Sequence, residues 1–187
     1  MCGRYQFTAE ESREIMDIVR EVERNLNTPV RTGEIFPTNE VPILTGTNQE
    51  IKPELMAWGF PHFKGSGVII NARAETAPEK KMFASCLGSR RCVVPTTGFY
   101  EWNKGKVKYK FNLLEVPELY MAGLYNDFAG ERRFVVLTTA ANPSVQAVHH
   151  RMPVVLTRDM IQGWFMNSNT ANNILQAIPP MLSSKIV

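Results

Sequence analysis

The residue with the most distinctive chemistry in this sequence is the cysteine that follows the initiator methionine, in MCGRY. Removal of Met1 would leave a free α-amino group and a thiol on Cys2, which together form a 1,2-aminothiol. The reference pKa values, about 7.7–8.0 for the amine and about 8.5 for the thiol, give both groups a nucleophilic fraction at neutral pH. An aldehyde would form a Schiff base with the amine, and the sulfur could then close a thiazolidine ring. A disordered terminus is the alternative, and Cys2 alone does not decide between the two.

Two further segments combine strand patterns with reactive polar groups. In the run NARAET, Asn71 and Arg73 share strand parity, so Asn71 could donate to a reacting oxygen while Arg73 holds an anion such as phosphate. In the run GFYEW, aromatic neighbours would desolvate Glu101 and raise its pKa, as a general acid or base requires, while Trp102 could stack on a base. The alternatives are a surface arginine after an ordinary strand and a strand whose glutamate is solvated.

Histidine is concentrated in the run HHRMP, which begins at His149. Neighbouring side chains of an extended chain point in opposite directions, so at most one of His149 and His150 is expected to face a given site. A lone histidine that shuttles protons fits this pattern, because the Cys and His spacings match no zinc site, and we expect neither a metal nor a cofactor. A histidine hydrogen-bonded in a turn before Pro153 is the alternative. Trp58 ends another apolar run and is either a stacking platform for a base or a core residue.

The elements that must position these residues are mostly short strands. From residue 41 onward, runs rich in β-branched and aromatic residues are separated by Gly, Pro or Asn, which is typical of an antiparallel sheet or barrel. The runs are 41–45, 51–58, 67–72, 91–95, 98–103, 107–113, 119–125, 132–139 and 152–156. The spacing of Thr8 and Glu11 predicts a capping box for a helix over 9–24, and two short helices are predicted after Thr157. We therefore predict an α+β fold with a β-rich, antiparallel, barrel-like core and a few flanking helices.

The connections between these elements are also predicted from composition. Segments 25–40 and 76–90 have the character of long surface loops, where functional residues often collect. The run Asn103-Lys104-Gly105 between two strands predicts a hairpin turn, with Gly105 at the position that requires a positive φ.

Composition limits the class of protein. The 187 residues fit a single domain over 1–187, and 44% apolar and 21% charged residues fit a folded core. The net charge of +3 neither requires nor opposes a nucleic-acid partner. Three cysteines without a CxxC pair argue against disulfides and zinc and favour a cytoplasmic setting, and no segment is apolar enough for a signal peptide or a membrane span. Walker, GxGxxG, HExxH and Ser-His-Asp patterns are absent, which removes most hydrolase, NTPase and dehydrogenase functions.

Five motifs, taken together, resemble one known family. They are MCGRY at the start, WGF at 58–60, NARAET at 71–76, RCVVPTTGFYEW at 91–102 and HHRMPVVL at 149–156. Their order and spacing are similar to those of the SOS-response-associated peptidase (SRAP) family, which processes abasic sites. The resemblance implies a DNA damage response protein that binds single-stranded DNA, or junctions of single and double strands. We expect it to act as a monomer.

The resemblance also implies a reaction. Once Met1 is removed, Cys2 would form a covalent thiazolidine with the ring-opened aldehyde of an abasic site and shield the lesion. A lyase side activity, which cuts 3′ of the lesion, would arise from the Schiff base before ring closure. The peptidase label of the family would concern removal of Met1, by the chain itself or by a cellular aminopeptidase.

Roles are assigned by matching positions to the family motifs. The residues matched to catalytic roles are Cys2 as nucleophile, Asn71 near the aldehyde, Glu101 as acid or base, and His149, four residues before Pro153. The residues matched to the DNA path are Arg4 and Arg73 for phosphate, Trp58 and Trp102 as aromatics, Thr138 and Pro37. The loop that contains Pro37 departs from the family pattern asparagine-x-alanine-proline, because this chain reads Glu34-Ile35-Phe36-Pro37. Any role of that asparagine is therefore not transferred.

Two other functions remain open from the sequence. An N-terminal-nucleophile cysteine peptidase or amidohydrolase would use the same Cys2, but it needs an oxyanion hole and a small closed pocket. A DNA-reactive site instead needs Arg4 and Arg73 to converge on a groove with stacking aromatics. A non-catalytic reader of modified bases would leave Cys2 dispensable.

Overall fold

The computed structural model describes residues 2–46, 50–62 and 65–187, and strands dominate this part of the chain. The strands are β1 (Tyr5–Phe7), β2 (Gly33–Ile35), β3 (Glu40–Gly46), β4 (Ile51–Trp58), β5 (Phe60–Pro61), β6 (Val68–Ile69), β7 (Asn71–Arg73), β8 (Arg91–Thr96), β9 (Gly98–Trp102), β10 (Lys108–Leu113), β11 (Leu119–Phe128), β12 (Glu131–Ala140), β13 (Arg151–Pro153), β14 (Val155–Leu156) and β15 (Leu182–Ile186). The helices are α1 (Arg13–Leu26), α2 (Lys81–Ser89), α3 (Pro143–Gln146), α4 (Met160–Met166) and α5 (Ser168–Gln176).

Five strands close into a barrel in the order β12, β4, β3, β8, β11, because β11 pairs with β12 as well as with β8. The pairing of β12 with β4 is parallel and short, with Phe134 opposite Trp58, and the other pairings of the ring are antiparallel. The strand β7 also runs parallel to β12, with Val136 opposite Asn71. Closure removes the open edges that an isolated sheet would expose. The predicted β-rich α+β, barrel-like fold is confirmed.

A second sheet has the order β15, β10, β9, β1, β2, with every pair antiparallel. Alternation along its strands separates two faces. Tyr5, Phe99 and Phe111 are buried on one face, against the main core. The side chains at the alternate positions, among them Glu34 and Trp102, lie on the opposite, partly exposed face. This sheet therefore has one apolar and one polar–aromatic face.

The first helix begins four residues later than its predicted capping box requires. A turn of 3-10 helix spans Ala9–Glu11, and Ser12, not Thr8, caps α1 by accepting a hydrogen bond from the Ile15 backbone N–H at 3.3 Å. The prediction placed the cap one turn too early because Thr8 has Glu11 at the capping-box spacing, whereas Ser12 has Ile15 there. The predicted apolar stripe is correct, since Ile15 and its periodic partners are buried.

Several local predictions were wrong. The segment 76–90, predicted as a loop, contains α2, whose Phe83 and Cys86 are buried. The segment 25–40 contains β2, and the predicted strand over 67–72 is divided into β6 and β7 at Ile70. In the turn after β9, the positive φ of 61° belongs to Lys106 rather than to Gly105.

The two helices predicted after Thr157 are present as α4 and α5. Among the described residues, no helix has both the length and the apolar character needed to cross a lipid bilayer.

The barrel interior predicts a specific effect of one glycine substitution. A Cβ on Gly123 in β11 would lie 2.8 Å from the Cys92 sulfur and 2.9 Å from the Val135 carbonyl oxygen. Because overpacked cores lose stability, Gly123→Ala should lower the free energy of unfolding by about 1–3 kcal/mol. The matched control is Gly88→Ala in α2, where a Cβ meets nothing within 4 Å and helix propensity favours alanine. Chemical denaturation of both variants checks this, and equal midpoints would contradict it.

Candidate functional site

The N-terminal cysteine is held against strand β7. Cys2 lies just ahead of β1, has no exposed surface, and its thiol donates a weak hydrogen bond to the Arg4 carbonyl oxygen at 3.7 Å. The Asn71 side-chain amide, Nδ2, donates to the Cys2 carbonyl oxygen at 2.9 Å. Asn71 begins β7, whose position is fixed by its pairing with β12. The fold therefore brings together two of the predicted residues that are 69 positions apart.

Glu101 lies close enough to Cys2 to change its acidity. Burial raises the pKa of the Cys2 thiol well above its ordinary value, and the charge of Glu101 raises it further. Glu101 itself is only 3% exposed, and burial raises the pKa of this carboxyl, while the charge of His150 partly offsets that shift. The GFYEW pattern predicts such a desolvated carboxyl. Glu101 faces inward because its neighbour Trp102 occupies the other face of β9.

His149 is oriented by the backbone two residues further along. The Arg151 N–H donates to His149 Nδ1 at 3.0 Å. The Arg151 carbonyl oxygen lies 3.1 Å from the same nitrogen. The backbone of Arg151 therefore holds Nδ1 in either tautomer of the ring, as acceptor from the N–H or as donor to the carbonyl. Burial lowers the pKa of His149, which favours the neutral ring. His150 is exposed and stacks on His149, with ring centroids 4.5 Å apart.

The sequence-based assignment missed an ion pair, between the buried Arg151 and the exposed Glu75, that fixes this histidine loop. Arg151 makes two parallel contacts with Glu75, at 2.7 and 2.9 Å, and Nη2 also donates to the Thr138 carbonyl oxygen at 2.7 Å. The Arg151 hydrogen bond lowers the pKa of Glu75. The sequence feature that could have indicated this ion pair is Arg151, which begins the apolar run RMPVVL. A charged side chain in a buried strand needs a partner.

Two residues matched to the DNA path lie in the interior instead. Trp58 has no exposed surface; it stacks on Phe134 with an interplanar angle of 9°, and its indole N–H donates to the Ile70 carbonyl oxygen at 3.0 Å. Thr138 is also fully buried, beside Arg151. Neither side chain is exposed in the free protein, because the barrel strands that carry them turn them inward, and their assignment to the DNA path stays a prediction.

The other aromatic and cationic predictions lie at the surface. The Arg4 guanidinium lies 4.2 Å from the centre of the Phe36 ring and 5.2 Å from that of Trp102. Trp102 is half-buried and lines, together with His149 and His150, a cavity of about 730 Å³. The contacts of Arg4 with both rings were not predicted from the sequence.

Arg73 and Pro37 are the two remaining predicted residues, and both are at least partly exposed. Arg73 is exposed at the end of β7 and lines a second cavity, of about 270 Å³, with Asn71 and Lys80. Pro37 is half-buried and follows Phe36 directly. The Asn71 side chain thus connects the second cavity to Cys2.

Comparison with known proteins agrees with this architecture. The sequence model of the family described as SOS response associated peptidase (SRAP) matches residues 1–186. The abasic site processing protein YoqW of Bacillus subtilis (strain 168) is 32% identical over 198 residues, which cover 95% of this chain and 86% of YoqW. The abasic site processing protein YedK of Escherichia coli (strain K12) is 24% identical over 175 residues, which cover 88% of this chain and 79% of YedK.

A solved structure shows the same fold. The crystal structure of a protein from Bacteroides thetaiotaomicron superposes with a TM-score of 0.80 at 23% identity, over 100% of this chain and 92% of that one. The family match extends over nearly the whole sequence and includes each motif that contributes to the site. This protein therefore belongs to the SRAP family.

Proposed function

We propose that this protein processes abasic sites in single-stranded DNA by forming a thiazolidine crosslink through Cys2. Several of its relatives are named abasic site processing proteins, which supports the general activity. The observation that supports the chemistry is the contact between Asn71 and Cys2, because it holds the future N-terminal residue next to the buried Glu101 carboxyl. Loss of Met1 would convert the Cys2 amide nitrogen into a free amine at this position.

The first step is attack of the amine on the aldehyde carbon. As the C–N bond forms, Glu101 accepts one proton from the amine and passes it to the aldehyde oxygen, which gives a carbinolamine. The hydroxyl of this carbinolamine then departs as water. His149 protonates the departing hydroxyl from Nε2, since Nδ1 is held by the Arg151 backbone, and regains a proton from the iminium nitrogen, which leaves the neutral imine. The raised pKa of Glu101 suits a group that must take and return protons near neutral pH.

The second step is ring closure by sulfur. The Cys2 thiol stays protonated because burial raises its pKa, so the amine reacts first. The thiol then adds to the imine carbon, forming a C–S bond, and its proton moves to the imine nitrogen. Aldehyde and aminothiol thus give thiazolidine and one water. Before closure, β-elimination from the Schiff base would cut the strand 3′ of the lesion.

The surroundings of Cys2 favour a polyanionic substrate over a small amide. Arg4 follows Cys2 by two positions and Arg73 follows Asn71 by two, and both side chains suit phosphate, while the half-buried ring of Trp102 suits stacking on a base. A cysteine amidohydrolase would instead require a small closed pocket around the nucleophile. Single-stranded DNA is therefore the proposed partner.

The covalent step predicts a cysteine-dependent adduct. Processed protein lacking Met1, mixed with a single-stranded oligonucleotide that carries one abasic site, should give an SDS-resistant species. Intact mass should equal the sum of both components minus one water. Cys2→Ser should give only an adduct trapped by borohydride, because it keeps the amine and loses the thiol. Cys86→Ala, which removes a different buried thiol, should behave like the wild type. A stable adduct of thiazolidine mass in Cys2→Ala would refute the mechanism.

The role of Glu101 predicts a pH dependence. The carboxylate form accepts the proton, so the crosslinking rate should rise as pH increases through the Glu101 pKa, which burial places above its ordinary value. Glu101→Gln should lower the rate by about 10²–10⁴-fold, the usual contribution of general acid–base catalysis, and remove that limb of the profile. Binding to undamaged DNA should change little. Equal losses of binding and crosslinking would make Glu101 a structural residue.

The role of Arg73 predicts a change in salt dependence. Arg73→Ala should weaken binding to undamaged single-stranded DNA and reduce the slope of log affinity against log salt concentration by about 0.7, the value for one phosphate contact with a single strand. Arg20→Ala on the exposed surface of α1 is the matched control, because it removes the same charge from a side chain that is 68% exposed. Fluorescence anisotropy over a salt series measures both. The same slope in both variants would place Arg73 away from the backbone of the DNA.

A further inference from the structure

The acidic side chain of Glu34 lies between two cationic side chains, those of Arg4 and Lys108. Glu34 in β2 contacts Arg4 Nη1 with its Oε1 atom at 3.5 Å, and the same oxygen accepts a shorter hydrogen bond from Lys108 Nζ. These residues come from three strand regions of the second sheet and share its polar–aromatic face. One carboxylate thus neutralises part of the charge of two cations.

The two cations are also held by aromatic rings. Arg4 lies over the Phe36 and Trp102 rings, at 4.2 and 5.2 Å from their centres, and Lys108 Nζ lies 3.9 Å from the centre of the Tyr100 ring. Contacts between cations and ring faces are attractive without any anion. Arg4 and Lys108 would therefore keep their places if the Glu34 carboxylate moved away.

The ion pairs of Glu34 are open to exchange with solvent. The side chains of Glu34, Arg4 and Lys108 are 30%, 32% and 25% exposed. Ion pairs in contact with water are weak and screened by salt, because both charges retain much of their hydration. A phosphodiester carries the same charge as a carboxylate and suits the same donors. The site that Glu34 occupies is therefore suited to a phosphate.

We propose that Arg4 and Lys108 form one phosphate-binding site and that Glu34 occupies it in the free protein, so that DNA binds only by displacing this carboxylate. The proposal rests on the proposed function, because DNA is the source of the phosphate. It adds Lys108 to the DNA-binding residues and makes Glu34 an internal competitor that lowers affinity. A protein in which Glu34 competes with phosphate would release undamaged strands readily, while a covalent adduct would be retained.

The test is the affinity for an undamaged single-stranded oligonucleotide, which excludes crosslinking from the measurement. Glu34→Gln keeps the shape and removes the charge, so binding at low salt should tighten by about threefold to tenfold, the effect of one unit charge beside a partly solvated phosphate. The gain should shrink as salt is added. Lys108→Met should weaken binding, and in that background Glu34→Gln should give a smaller gain.

The matched control is Glu131→Gln, which removes an equal charge from a residue that pairs with Arg133. Glu131 begins β12 and lies seven positions from Thr138, or about 23 Å along the strand. An affinity for Glu34→Gln equal to or below that of the wild type would overturn the proposal, as would an equal gain for Glu131→Gln. Thermal midpoints of the variants establish that each is folded, and Glu34→Asn serves as a second neutral variant.

The outcomes separate this proposal from the proposed function. Tighter binding by Glu34→Gln with no covalent adduct to abasic DNA would retain the phosphate site and reject the crosslinking mechanism. A cysteine-dependent adduct without any gain in affinity would do the reverse.

Discussion

The geometry of the site depends on the hydrogen bonds that β12 makes to several strands at once. This strand closes the barrel through β11 and β4 and also pairs with β7 and β13. Through β7 it fixes Asn71, which holds Cys2, and through β13 it fixes the loop that contains His149. The Trp58 ring stacks on Phe134 of β12, and its indole N–H donates a hydrogen bond to the Ile70 carbonyl oxygen next to Asn71. A buried tryptophan at this point thus supports the strand that holds Asn71.

Sequence patterns predicted the elements whose buried face can be recognised from the apolar periodicity of their own segment. Alternating apolar runs identified the barrel strands and periodic apolar residues identified α1, because both patterns follow directly from which face is buried. Strands β1 and β2 were missed since they have only three residues each, and β15 was missed because most of its run LSSKI is polar. All three owe their extended form to pairing with distant partners. Helix α2 was missed because its first residue follows Lys80, which makes no side-chain cap. These elements are consequences of tertiary contacts.

The same distinction applies to the site. The chemistry of Cys2 and the desolvation of Glu101 could be inferred from neighbours in the chain. The pairing of Glu75 with Arg151 joins residues 76 positions apart, and the contacts of Glu34 depend on which strands of the second sheet are adjacent. The sequence did mark Glu34 as a departure from the family pattern, although its partners could be found only in the fold. The burial of Trp58 was not predicted, because a motif gives a residue type and a position but not the face of the strand.

The burial of Cys2 has a consequence for chemical selectivity. Oxidants and alkylating agents react with thiolates, and a thiol held in its neutral form inside the protein is poorly reactive toward them. A nucleophile of this kind would withstand the oxidative stress that also damages DNA. In the proposed mechanism the amine captures the aldehyde first, and the sulfur reacts only with an imine that is already tethered beside it. The protein would thereby reserve an intrinsically unselective group for one electrophile.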